Sequence, residues 1–377
     1  MKIDIGCYYF PNYHTGDSRN KIVHGSNWSE WEPVRKAIPR FPGHVQPRVP
    51  LWGETDEKDP AVMAQKIDAA ADAGVNVFIF DWYYYDDGPF LEQALEKGFL
   101  GAPNRSRIKF CNMWANHDWY DIHPAPLTNR KLLYPGKVTR ATFEKIVDIH
   151  IRRYFSQPEY YTIDGAPYFS IYELSLLAAS FGSADETRRA LAEFRTEVKN
   201  AGFPDLHLNA IIWGEPILPG ENTPQDAAKL AVDLGFDSVA SYVWKHHYYC
   251  AAPQNPYTEM RDAYFSFWDK TMANCPLEYF PNATVGWDTT PRTMPVQPWD
   301  GTGAYPYASV VVGDTPAEFA KALQMIRSRL EKQNPKHPFI SINSWNEWTE
   351  GSYIEPDTRN GYAYLDAIRQ EFPENVQ

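Results

Sequence analysis

The sequence predicts an α/β fold: one (β/α)8 TIM barrel with long loops at its C-terminal face. Three observations predict it. Eight short apolar, β-branched or aromatic runs alternate with helical patterns. The chain has 377 residues, 44% of them apolar, which suits either two ordinary domains or one large barrel. No repeat or low-complexity linker divides it, so a single domain over 1–377 is expected. The rival, an open doubly wound sheet for a dinucleotide, lacks a Gly-rich loop after the first strand.

The strands are expected at 3–9, 76–82, 108–114, 167–172, 207–213, 238–243, 283–287 and 338–344. A helix over 59–73 carries Val62, Ile67 and Ala70 on one face and ends at Gly74, a good C-cap residue. Further helical patterns cover 90–97, 142–155, 185–201, 224–234, 257–273, 316–332 and 362–371. The stretch 10–58 is long for a first βα loop. It contains Trp28, Trp31, Gln46, Trp52 and Glu54, and is expected to fold as a groove wall.

A formal charge of −12 without a basic tract argues against nucleic acid and anionic membranes as partners. No apolar run approaches membrane-spanning length. The first strand begins almost at Met1, so no signal peptide is expected. The protein is then cytoplasmic, or periplasmic or secreted if a leader was trimmed. Cys7, Cys111, Cys250 and Cys275 have no metal-ligand spacing. Cys7 and Cys111 read as buried strand thiols; a Cys250–Cys275 disulfide stays open. No metal or cofactor is expected.

In such barrels the active site lies at the C-terminal strand ends. The first strand brings Tyr8 and Tyr9, the second Asp81, Trp82 and Tyr83, the third Trp114, Asn116 and His117. The fourth gives Tyr172 and Glu173, the fifth Trp213 and Glu215. The sixth gives Tyr242 and Trp244, with His246 beyond. The seventh gives Trp287 and Asp288, the eighth Trp345, Asn346 and Glu347. Every predicted strand ends in an aromatic, and most add an acid or amide within two residues. Rings stack on the C–H faces of sugars while polar groups bind hydroxyls, so an oligo- or polysaccharide groove is expected. His246 and His247 point apart on extended backbone, so at most one reaches the groove.

The sharpest signal runs from Asn343 to Asp357. Glu347 and Glu350 stand three residues apart among Trp345, Trp348 and Tyr353, with Glu355 beyond. Alone, two acids at this spacing mean the first turn of a short helix. After a strand end and beside tryptophans, they are the pair a sugar-cleaving site needs: one handles the proton at the glycosidic oxygen, the other supplies charge or a base. Burial against Trp345 and Trp348 is expected to raise the pKa of the acid. Trp52, Trp348, Tyr353 and Glu355 join the candidate sugar contacts. A Gly-x-Ser-x-Gly nucleophile is absent.

Asn346-Glu-Trp-Thr-Glu-Gly351 with Ile354-Glu-Pro356 is similar to the signature of glycoside hydrolase family 99. It is closer still to the related WbsX-like, or family-99-like, proteins, which carry lipopolysaccharide-biosynthesis or glycosyltransferase labels. Tyr8-Tyr-Phe-Pro11, Trp28-Ser-Glu-Trp31, Gln46-Pro47, Pro50-Leu51, Phe80-Asp-Trp-Tyr-Tyr84 and Trp114-Ala-Asn116 agree with the second group. The resemblance implies a metal-free (β/α)8 barrel acting on α-linked sugars, endo-α-mannosidase being the best-known activity. It further implies retention through a 1,2-anhydro sugar, with Glu347 the base that assists the 2-hydroxyl and Glu350 the general acid. The mannosidase branch has His where this chain has Thr349, so the resemblance carries reaction class better than substrate. Two rivals remain. A polysaccharide glycosyltransferase needs a phosphate cradle, and none stands out. A non-catalytic carbohydrate-binding barrel need not keep both glutamates.

Overall fold

The computed structural model describes residues 1–376 and folds as the barrel. Nine parallel segments form it: β1 (Asp4–Tyr9), β2 (Val77–Tyr85), β3 (Lys109–Trp114), β4 (Ala166–Ile171), β5 (His207–Ile211), β6 (Ser238–Ala240), β7 (Glu278–Phe280), β8 (Asn282–Thr284) and β9 (Phe339–Asn343). Their order across the sheet is β7-β6-β5-β4-β3-β2-β1-β9-β8. Tyr168 on β4 and Phe339 on β9 are separated by three strands, yet their rings lie 6.1 Å apart, in contact through the interior.

The seventh position departs from the single strand expected at 283–287. The chain breaks at Pro281, and β7 pairs with β6 while β8 pairs with β9. Proline has no N–H for a ladder, so the segment changes partner there. Its carbonyl still accepts the Ser341 N–H at 2.9 Å. Eight barrel positions are thus filled by nine segments.

The helices are α1 (Ser18–His24), α2 (Trp31–Lys36), α3 (Pro60–Ala73), α4 (Arg140–Ile149), α5 (Leu174–Phe181), α6 (Ala184–Asn200), α7 (Ala227–Leu234), α8 (Tyr257–Asn274), α9 (Pro316–Gln333) and α10 (Ala363–Glu371). Asp59 caps α3 by accepting the Ala61 N–H, and Gly74 closes it at φ 94°. The buried face of α3 runs through Met63, Lys66, Ile67 and Ala70, with Val62 only half-buried. Polarity hid this face, because its central residue is a lysine. The helix expected at 90–97 is replaced by the short strand Gly88–Phe90 and a π-helical turn, Ala94–Phe99. Gly98 in that turn lies against the loop before α3: a Cβ there would stand 2.1 Å from the Glu57 carbonyl oxygen. The helix expected at 142–155 is α4 continued by a second π-helical turn, His150–Tyr154. All four cysteines are free. No helix among the described residues is long and apolar enough to cross a membrane.

Candidate active site

A narrow cavity opens beyond the C-terminal strand ends. The pleat decides which strand-end residues reach it, because successive side chains face opposite sides of a sheet. Asp81 and Tyr83 on β2 point in. His117, Tyr172, Tyr242, His246, Trp287, Glu347 and Glu350 also line the cavity. Trp287 Nε1 is buried without a protein partner, leaving a free donor at the wall.

The alternate residues lie outside. Tyr9 packs on Phe78 and Phe80. Trp82 packs on His150 and Tyr154, and Trp114 on Phe143 of α4. Trp244 packs on Tyr257 and Tyr264 of α8, and Trp345 on Phe78. Tyr8 sits within the barrel, 4.7 Å from the Tyr242 ring.

Others shape the site from behind. Asn116 clamps the Glu173 backbone through both its amide atoms. Glu173 accepts the Asn222 N–H, and burial lifts it to about 8. Trp213 stacks on His246 at 4.9 Å. Asn346 bonds both backbone groups of Phe10. Asp288 accepts from His44, Gln46 and Thr290. Burial works against its ionisation, but His44 and Arg48 hold it well below the usual range. Trp348 lies between Trp31 and Tyr353 and donates to Glu355 at 2.8 Å. Tyr353 donates to Asp357. Trp52 contacts Tyr362 at the surface, and Glu215 is exposed. His246 and His247 sit on a 3-10 turn; His247 stacks on Phe267 of α8, so only His246 reaches the cavity.

The two glutamates follow β9 on a short strand and a 3-10 turn, Trp348–Glu350. One cation joins them. Arg292 Nη1 donates to Glu350 Oε1 at 2.7 Å and Nη2 to Glu347 Oε2 at 3.2 Å. Its Nε reaches Thr349 at 2.9 Å and Glu30 at 3.3 Å, Nη1 also meets Tyr305, and the guanidinium lies 5.3 Å over the Phe10 ring. Tyr305 also donates to Glu350 Oε1 at 2.6 Å. Glu30 accepts from Thr349 and meets His123 at 3.0 Å. Burial pushes Glu30 up, but His123 and Arg292 outweigh it and bring it to about 2. Glu347 is raised well above the usual range, by burial first and by Glu350 second, with Arg292 opposing. Burial likewise raises Asp81, against a 2.9 Å hydrogen bond from Tyr242. Glu350 accepts from a cation and a phenol. Burial holds His117 at about 4 and His246 at about 3, so both are neutral near pH 7.

Sequence reasoning missed Arg292, Tyr305, His123, Phe10 and Trp119. Trp119 stacks on His123 at 5.0 Å, and Phe10, Trp119, His123 and Arg292 line the cavity. Glu30 lies within Trp28-Ser-Glu-Trp31, a motif noticed for its tryptophans. Arg292 had no local signal. Only the need of buried carboxylates for a cation could have called for it.

The family described as "Glycosyltransferase WbsX" matches residues 5–368. An uncharacterized protein, WxcX, of Xanthomonas campestris pv. campestris is 27% identical over 379 residues, covering 97% of this chain and 49% of its own length. The chain thus spans about half the length of the curated relatives it matches. The GH99 endo-alpha-mannosidase from Bacteroides thetaiotaomicron, in complex with bis-Tris-propane, superposes with TM-score 0.59 at 16% identity, covering 98% of this chain and 97% of that one. A glycoside hydrolase-like protein gives TM-score 0.63 at 15% identity, covering 98% and 94%. At these identities the likeness is one of fold.

Proposed function

The chain belongs to the WbsX family, and from that premise we propose that it is a glycoside hydrolase cleaving an α-linked, mannoside-like glycan with Glu347 and Glu350. One observation carries the reading: two buried carboxyls border a ring-lined cavity while sharing one guanidinium. A residue set kept only for stability has no need of a cavity beside its charges.

In the roles the resemblance implies, Glu347 takes the proton of the substrate's 2-hydroxyl as that oxygen attacks the anomeric carbon. Glu350 protonates the leaving glycosidic oxygen, and a 1,2-anhydro sugar results. Water then opens the three-membered ring, giving its proton to Glu350 while Glu347 returns one to O2, and configuration is retained. Arg292 stabilises both carboxyls through the charge changes, and the neutral His117 and His246 offer hydrogen bonds to hydroxyls. This scheme requires an ionised Glu347 at the start, whereas burial favours its protonated form.

The family description favours a second reading, transfer to another sugar. A sugar hydroxyl in place of water would open the same anhydro ring. A nucleotide-diphosphate donor fits less well: Arg292, the one Lys or Arg lining the cavity among the described residues, is already bound to carboxylates.

A polysaccharide-hydrolysis screen, with product stereochemistry followed by NMR and an acceptor glycan added in parallel, separates the readings. Glu347→Gln and Glu350→Gln are each expected to lose turnover while folding and glycan affinity survive. A glycosyl fluoride, whose leaving group needs no proton, should rescue Glu350→Gln alone. Normal turnover in both variants ends the hydrolase reading.

A further inference from the structure

We propose that Tyr242 relays a proton between Glu347 and Asp81, so that Asp81 stores the proton while Glu347 acts as base. The inference rests on the two-glutamate reading above. Its starting point is a count of hydrogens. Tyr242 Oη lies 2.9 Å from Asp81 Oδ2 and 3.2 Å from Glu347 Oε1. A phenol has one hydrogen to give. Two hydrogen bonds to two carboxyl oxygens need a second hydrogen, and it must sit on one of the carboxyls. The three groups are 2%, 4% and 8% exposed for Asp81, Glu347 and Tyr242, so each meets the others more than it meets solvent.

The surroundings agree. Asp81 Oδ1 is buried and makes no hydrogen bond with protein, so an ionised Asp81 is poorly solvated and takes up a proton readily when Glu347 gives one up. Glu347 Oε2 is held by Arg292, which leaves Oε1 to face the phenol. Burial and the nearby Glu350 push both Asp81 and Glu347 upward. Burial also keeps the Tyr242 hydroxyl far from ionising, so the phenol passes a proton on without holding a charge. The other charged or titratable groups acting on the trio are Glu350, Glu30, Arg292, Tyr8, Tyr13, Tyr83 and Tyr305.

The step balances. The O–H bond at Glu347 Oε1 breaks as its proton moves to Tyr242 Oη. The original phenolic hydrogen moves to Asp81 Oδ2. Tyrosine ends unchanged, Asp81 becomes neutral and Glu347 becomes the anion. A 2-hydroxyl arriving at Glu347 favours that side, because a donor stabilises the charged form. The relay removes the mismatch between the protonated resting state and the base the reaction needs.

The first measurement uses no substrate. Burial also raises Glu57, Glu173 and Glu221, to about 7, 8 and 7, so the infrared carbonyl stretch of the shared proton is read at neutral pH as the part of the protonated-carboxyl band that differs between the whole protein and the variants. In Asp81→Asn and in Glu347→Gln it should disappear at lower pH, because the neighbouring charge that retains the proton is gone. No such band at neutral pH, or a band untouched by both substitutions, overturns the proposal.

The second measurement is kinetic, with α-mannosyl fluoride as probe. Tyr242→Phe should keep the band and KM but lower kcat by about 10²–10⁴-fold. The curved dependence of kcat on deuterium fraction, the mark of two protons in flight, should become straight. An unchanged kcat overturns the relay. If Glu347→Gln is inactive at the same time, the two-glutamate reading stands; if Glu347→Gln turns over normally, that reading falls with it.

Discussion

Two clusters of buried charge flank the turn 346–351, and they resemble each other in composition. In one, Arg292 is shared by Glu30, Glu347 and Glu350. In the other, Lys66 on α3 lies 2.9 Å from Glu355 and 3.7 Å from Glu57. Both cations are buried. The difference lies in what surrounds the acids. Glu57 accepts from Tyr9, the Tyr13 N–H and Asn346, and Glu355 from Trp348, so the Lys66 cluster spends its acceptors on the protein. The Arg292 cluster borders open space. Buried charge alone does not mark a site; buried charge with room beside it does. Asn346, Trp348 and Glu355 looked like ligands in sequence because they stand near Glu347, and Tyr9 because it ends the first strand, yet all four serve the closed cluster.

The sharpest way to break this contrast is to neutralise one acid on the open side. Glu347→Gln is expected to reduce turnover by about 10²–10⁴-fold with Tm little changed, since glutamine keeps the shape of a carboxyl whose neutral form burial already favours. If it lost folding instead, the clusters would be alike in function. The mirror experiment is Lys66→Met. It strands Glu57 and Glu355 without their cation and should cost about 3–5 kcal/mol in urea denaturation. The kcat of the folded fraction should change far less than in Glu347→Gln.

Stability against pH separates the clusters more gently. Glu57 is raised from 4.5 to about 7, chiefly by burial. Between those values the native state binds more protons than the unfolded chain, so stability falls as pH rises through that window. Glu57→Gln should flatten that slope. Glu30, lowered to about 2, works the other way: its stabilisation is present above its unfolded value of 4.5 and is lost as pH falls toward 2. Calorimetric scans across pH would show both signs. The smallest effect is expected at Glu215, an exposed strand-end acid. Glu215→Ala should leave KM unchanged and stability within about 0.5 kcal/mol.

The barrel was legible because its strands are short, apolar and evenly interrupted, and because the proposed catalytic pair follows the last of them within one motif. Facing was not legible from strand ends alone. A tryptophan at position 82 and an aspartate at 81 read as equal candidates until the pleat assigns one outward and one inward. Arg292 was invisible for another reason: it reaches Glu30, Glu347 and Glu350 across 262, 55 and 58 residues of chain. Lys66 was hidden by its polarity, because a lysine carries no signal for the buried face of α3. In both cases tertiary pairing overrides the local pattern.

The break at Pro281 makes the hoop of strands a split collar. Its two ends are latched to different neighbours and joined by one imino acid, so circumferential stiffness is lowest there. Amide exchange is expected to be fastest along this joint of the nine segments. The chain that leaves it carries Trp287, Arg292 and Tyr305 to the acids, so any slack in the collar becomes play in the guanidinium that bridges them.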